Sequence, residues 1–154
     1  MKKVKVGVLG AFRGKSMIDY CSRADNVELV AICDKYEPAL QKVNDELKMD
    51  TITYYKSFDE FIQHDMDAVV LANYANEHAP FAIRCMNAGK HVFSEVLPVQ
   101  TMKEAVELVE TVEKAAEIYI KIMDRPILQT ITDEQLWILA KAFGVTPRKG
   151  YLAE

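Results

Sequence analysis

Short runs of β-branched and apolar residues alternate with helical patterns along most of the 154 residues, and this alternation constrains the fold more than any other feature. Strands are expected at 3–10 (KVKVGVLG), 27–34 (VELVAICD), 51–56 (TITYYK), 67–74 (DAVVLANY) and 90–96 (KHVFSEV). Between them, helical patterns cover 15–24, 37–48, 58–64 and 76–89. Pro38 falls in a first turn, where its missing N–H costs little; Ser57 is placed to cap the short helix, and Gly89 to stop the fourth. The clearest helix is 101–117. Thr101 and Glu104 form a capping box, and Ala105, Leu108, Val109 and Val112 make one apolar face. Strands apolar on both faces and separated by helices imply a parallel sheet covered on both sides. With right-handed crossovers, the fold class is α/β, a Rossmann-like doubly wound sheet of about 120 residues.

Beyond 117 the pattern changes. IYIKIM (118–123) reads as a sixth strand, and Pro126 ends regular structure. A second capping box, Thr132 with Gln135, opens a helix at about 133–143 that closes at Gly144. Its Leu136, Leu139, Ala140 and Phe143 face, with Trp137 beside it, needs cover from this domain or from a second copy of the chain. The expected organisation is a domain at 1–123 and a tail at 124–154.

Nineteen basic and twenty-three acidic residues give a net charge of −4, which disfavours nucleic acid and anionic membranes as partners. No apolar run reaches the roughly 18–20 residues that span a bilayer. Cys21, Cys33 and Cys85 form no CxxC pair and have no histidine cluster nearby, so no metal site is expected; they read as reduced core residues of a cytoplasmic protein.

In an open α/β sheet the ligand lies at the carboxyl ends of the strands, where strand order reverses. VGVLGAFRGKS (6–16) supplies a glycine turn there. Gly10 permits the tight turn and Gly14 a close helix–strand approach, while amides at the helix start face a pyrophosphate. Phe12 stands where a dinucleotide fingerprint has glycine, and Gly14 comes one residue early. Arg13 can offset this by pairing with phosphate oxygens directly. Asp34 lies 24 residues after Gly10, near the roughly 20-residue spacing of an acid that binds the adenosine ribose. A carboxylate there repels a 2′-phosphate and favours NAD over NADP, a preference that Lys35 softens. Asn73 and Tyr74 close the fourth strand and His78 opens the next helix, where they can line a nicotinamide or ribose pocket. Glu95 ends the fifth strand on the same edge. Each has a plain structural alternative: a turn for the glycines, a solvated charge for Arg13, a cap for Asp34 and Glu95, a packed core imidazole for His78.

The run VVLANYANEHAPFAIRCMNAGKHVFSEVLP resembles the glucose–fructose oxidoreductase/inositol dehydrogenase (Gfo/Idh/MocA) family. That family shows V-V-I-A-T-P-N-x-x-H, a helix, then A-G-K-H-V-x-x-E-K-P. Matching positions are Ala72, His78, Ala88, Gly89, Lys90, His91, Val92 and Glu95. The resemblance implies an NAD(P)-dependent oxidoreductase of sugars or polyols, built from this domain plus a larger substrate domain. Three departures bear on function. The family's lysine and proline fall on Val96 and Leu97, its Thr-Pro on Asn73-Tyr74, and its substrate domain is not in this sequence. Valine cannot do acid–base work. The cofactor domain of an oxidoreductase, either truncated or standing alone with its tail helix as cover, that binds the cofactor without turning over a sugar is therefore expected. A non-catalytic nucleotide-binding or oligomerisation module, or a degenerate fragment, is the alternative.

Overall fold

The computed structural model describes residues 2–122, together with Glu134, Trp137, Ile138, Ala140 and Lys141. The chain divides into two compact units, Met1–Ala116 and Glu117–Glu154.

Five parallel strands make one sheet: β1 (Val4–Leu9), β2 (Val27–Cys33), β3 (Thr53–Tyr55), β4 (Ala68–Leu71) and β5 (His91–Ser94). They lie in the order β3-β2-β1-β4-β5, so strand order reverses between β1 and β4. The crossover helices are α1 (Lys15–Cys21), α2 (Glu37–Leu47), α3 (Phe58–Phe61) and α4 (His78–Asn87), with a 3₁₀ turn at Ala75–Glu77 before α4. The last helix, α5 (Met102–Ile122), follows β5. This is the expected Rossmann-like sheet.

Two apolar clusters cover its faces. Ile18, Cys21, Leu40 and Val43 of α1 and α2 pack with Val6, Val8 and Leu29 on one side. On the other, Phe58 and Phe61 of α3 and Ala82 and Cys85 of α4 pack with Val30, Val69 and Leu71. Burial from both faces explains why the strands read as continuous apolar runs rather than alternating ones. All three cysteines are free and buried, and burial pushes the thiols of Cys33 and Cys85 up to about 12, so neither supplies a thiolate at neutral pH.

Several local expectations are corrected. Residues 118–122 continue α5 instead of forming a sixth strand. Once a long helix has formed, each further residue adds a hydrogen bond at little nucleating cost, which outweighs the β-preference of IYIKIM. Ser57 occupies the N-cap of α3 without a side-chain cap bond. The α5 capping box does form: Glu104 N–H donates to Thr101 Oγ1 at 3.2 Å and Thr101 N–H to Glu104 Oε2 at 3.0 Å. Its apolar face, however, is largely exposed, with Val109 at 55% and Val112 at 48%. In the tail, the five described residues are helical and Ala140 is buried; Leu136, Leu139 and Phe143 lie outside the described residues. No helix among the described residues is long and apolar enough to cross a membrane.

Candidate functional site

At the reversal of strand order, β1 enters its turn at Gly10 with φ of +104°, a conformation that favours glycine. A Cβ there would stand 2.5 Å from the Ala72 carbonyl oxygen, so the β1 turn and the end of β4 can approach closely only with glycine. At Gly14 a Cβ would meet the Gly10 carbonyl oxygen at 2.5 Å and Val8 at 2.8 Å. The early second glycine thus closes the loop against its own strand. Gly14 N–H donates to Gly10 O at 2.9 Å, and Ala11 N–H to Asp34 Oδ2 at 2.8 Å. Two loop amides are committed internally, which shifts the burden of meeting an anion toward side chains.

Asp34 ties the site together. Its Oδ1 accepts from Tyr36 N–H at 2.9 Å while Oδ2 holds Ala11, so one carboxylate fixes both the β1–α1 and β2–α2 loops. With about four lone-pair directions, it retains capacity for two further donors.

A cavity of about 450 Å³ opens between these loops, a volume typical of small-molecule sites. Of the residues anticipated from sequence, Gly10, Phe12, Arg13, Asp34, Lys35, Asn73 and Tyr74 line it. Phe12 is 76% exposed, so its ring stands at the rim and leaves the cavity open. Gly14, His78 and Glu95 are not among the lining residues. His78 is fully buried behind the site; its Nδ1 bonds Ser94 Oγ at 2.7 Å and its Nε2 lies 3.3 Å from the Asn73 carbonyl oxygen. That joins the end of β4 to the end of β5. Glu95 is exposed, and its amide extends the ladder to Leu71 O at 3.0 Å.

The sequence did not single out Tyr36, Lys56, Phe58, Glu77 or Phe81, which also line the cavity. Glu77 accepts from Asn73 Nδ2 at 3.2 Å and pairs with Lys35 at 3.1 Å. Burial alone would push its carboxyl up; the bonds from Asn73 and Lys35 and the charge of Lys35 outweigh this and hold it below the ordinary carboxylate value. The Asn73 amide is oriented by that bond, and its buried Oδ1 has no donor among the described residues. The position of Glu77, three residues beyond Tyr74 in the β4–α4 link, was the signal available for it.

The glycine turn that ends β1 and the carboxylate that follows neighbouring β2 sit beside the reversal of strand order. Residues 4–122 match the GFO_IDH_MocA model, described as an oxidoreductase family with an NAD-binding Rossmann fold. The chain belongs to this family. Among its relatives, a glycosyl hydrolase family 109 protein of Shewanella baltica is 32% identical over 123 residues, covering 74% of this chain and 27% of that protein. In the solved structure of scyllo-inositol dehydrogenase from Lactobacillus casei with bound cofactor NAD(H) and scyllo-inositol, the superposition covers 75% of this chain and 34% of that one. Its TM-score is 0.69 and the identity 26%. A shorter likeness, 54% identical over 54 residues, is to rhamnulose-1-phosphate aldolase of Enterococcus faecalis; it takes in 34% of this chain and 19% of that protein. The chain thus spans about a quarter to a third of the length of the Shewanella and Lactobacillus proteins it matches.

Proposed function

We propose that this Gfo/Idh/MocA-family chain binds NAD(H) across the β1–β4 reversal and acts as the cofactor-holding part of a sugar or polyol oxidoreductase, without turnover of its own. The observation that carries this is the presence of Asp34 and Arg13 on one cavity: an acceptor carboxylate with spare lone pairs and a cation at the mouth. The glycine cradle at Gly10, the open rim at Phe12 and the orphaned Asn73 Oδ1 all fit such a ligand.

In this reading Asp34 takes the adenosine ribose hydroxyls, Arg13 the phosphate oxygens, and Asn73 Oδ1 an N–H or O–H of the cofactor. Bound NAD supplies the hydride chemistry. The residues around it orient the dinucleotide and keep water from its buried faces. Val96 is apolar and holds no proton, so position 96, where the family pattern has lysine, offers no acid or base to a substrate hydroxyl. That supports a binding role over turnover. Asp34 also favours NAD over NADP, because a 2′-phosphate would place two negative charges together.

Titration of NADH fluorescence tests this. Wild type is expected to bind NADH more tightly than NADPH. Asp34→Ala should weaken NADH binding about tenfold or more, the loss of charge-assisted hydrogen bonds, and should narrow the preference for NADH over NADPH. A urea midpoint on the same protein separates this from a loosened loop. Absence of wild-type binding at millimolar NADH overturns the reading, and sustained NAD reduction on a polyol panel overturns its non-catalytic part.

A further inference from the structure

Three cations line the cavity, and two of them are already neutralised. Lys35 pairs with Glu77 at 3.1 Å and Lys56 with Glu37 at 2.5 Å. Arg13 has no carboxylate partner among the described residues. What holds its guanidinium is an aromatic ring: Arg13 Cζ lies 5.3 Å from the centroid of Tyr74. Lys35 Nζ lies at the same distance, 5.3 Å, from that ring. One tyrosine on the β4–α4 link thus gathers a cation from the β1–α1 loop and another from the β2–α2 loop. Tyr74 is itself held, since its carbonyl accepts from Glu77 N–H at 2.8 Å, and Glu77 binds Lys35 in turn.

We propose that Tyr74 is a positioning residue for a phosphate-bearing ligand, holding Arg13 and Lys35 as a preset pair at the cavity mouth. The inference rests on the cofactor reading above and adds a residue where the family pattern has proline. A free arginine side chain samples many rotamers, and fixing it on binding costs affinity. A ring that restricts Arg13 beforehand removes part of that cost, while the exposed π-face leaves the guanidinium edge free to donate. Because no acid among the described residues pairs with Arg13, the anion gains its attraction without first breaking an ion pair. Lys35, shared between Glu77 and Tyr74, serves as the second, weaker contact.

The test compares ligands with and without phosphate on the full chain. A cation–π contact at an exposed site is worth about two- to fivefold in affinity. With two such contacts, Tyr74→Leu is expected to weaken NADH and ADP binding about four- to twenty-fivefold while leaving adenosine binding, followed by NMR titration, within about twofold. Tyr74→Phe keeps the ring and should stay within about twofold of wild type for all three ligands. In an Arg13→Ala background, Tyr74→Leu should cost markedly less than in wild type, the non-additivity of a shared contact. Equal losses for ADP and adenosine, or additive effects of the two substitutions, overturn the proposal and leave Tyr74 a packing residue. A ligand-free arm separates this from failure of the cofactor reading. The Arg13 Nε–H resonance should move on Tyr74→Leu and stay in place on Tyr74→Phe; an unmoved resonance overturns the stack whatever the ligand does. If the resonance moves and wild type binds neither NADH nor ADP, the cofactor reading has failed and the positioning role falls with it.

Discussion

Helices α4 and α5 lie on either side of β5 in the chain, both are amphipathic, and they use that character in opposite ways. α4 has ten residues and buries His78, Ala79, Ala82 and Cys85. Twenty-one-residue α5 has no buried residue among its described side chains, and only Leu108 packs against the cluster that α4 helps to form. Small residues let α4 sit close on the sheet, against β4 and β5. α5 follows an edge strand, so it meets only the margin of that cluster. The lesson is about what an apolar stripe states. It says that a helix can bury one side; the neighbouring sheet decides how much of that side is covered.

The largest expected effect lies in the cluster beneath α4. Phe61 is fully buried there, with Ala82 and Cys85 in the same cluster. Phe61→Ala should cost about 3–5 kcal/mol, the usual loss for emptying a buried phenylalanine site. A urea midpoint with an unchanged slope checks it. A cost below about 1 kcal/mol would show that α3 and α4 collapse into the space, and the contrast with α5 would lose its physical basis.

The helix starts differ as well, and pH sharpens this. Glu77 stands at the N-cap of α4, bonded to Asn73 within its own link and tied across the structure to Lys35. Glu104, in the first turn of α5, is held below the ordinary carboxylate value mainly by the Gln100 amide and then by Thr101, all within its own turn. Both carboxyls are depressed in the folded chain. Each contribution is therefore complete above the ordinary carboxylate value of about 4.3 and is lost as pH falls through the lower folded value. Acid should release the cavity wall through Glu77 but only fray a helix end through Glu104. The acid limb of the urea midpoint should flatten more in Glu77→Gln than in Glu104→Gln. The reverse order would place the stronger tie in α5.

Much of this was legible in the sequence because the signals are local. β-branched runs, the Thr101–Glu104 box and the Gly89 stop depend on neighbours a few residues away, and the first five strands and the crossover helices formed where they indicated, while the β-branched run at 118–122 was absorbed into α5. Gly10 and Asp34 were legible for a similar reason: a turn needs glycine, and a strand end of this fold puts an acid opposite it. The remainder of the cavity comes from residues brought together only by the sheet. Lys56 follows β3, Phe58 and Phe81 start from different helices, and Glu77 reaches Lys35 across 42 positions. His78 illustrates the opposite case. Its place after β4 suggested a ligand contact, yet the ring turns inward to Ser94 and the Asn73 carbonyl.

The smallest effect belongs to α5 and is the most exacting check on the comparison. Val109 and Val112 lie on its apolar stripe, yet each is about half exposed, at 55% and 48%. A residue so exposed gives up little hydrophobic free energy when shortened, and alanine has the higher helix propensity. Val109→Ala is therefore expected to change stability by no more than about 0.5 kcal/mol, with helix content by circular dichroism unchanged. Leu108→Ala, one position away on the packed edge, should cost more, because its side chain rests on the cluster beneath α4. If Val109→Ala costs as much as Leu108→Ala, both sides of the stripe are covered and α5 is buried in the same sense as α4. If neither costs anything, Leu108 gains nothing from the cluster, and α5 stands on its own capping and helix propensity.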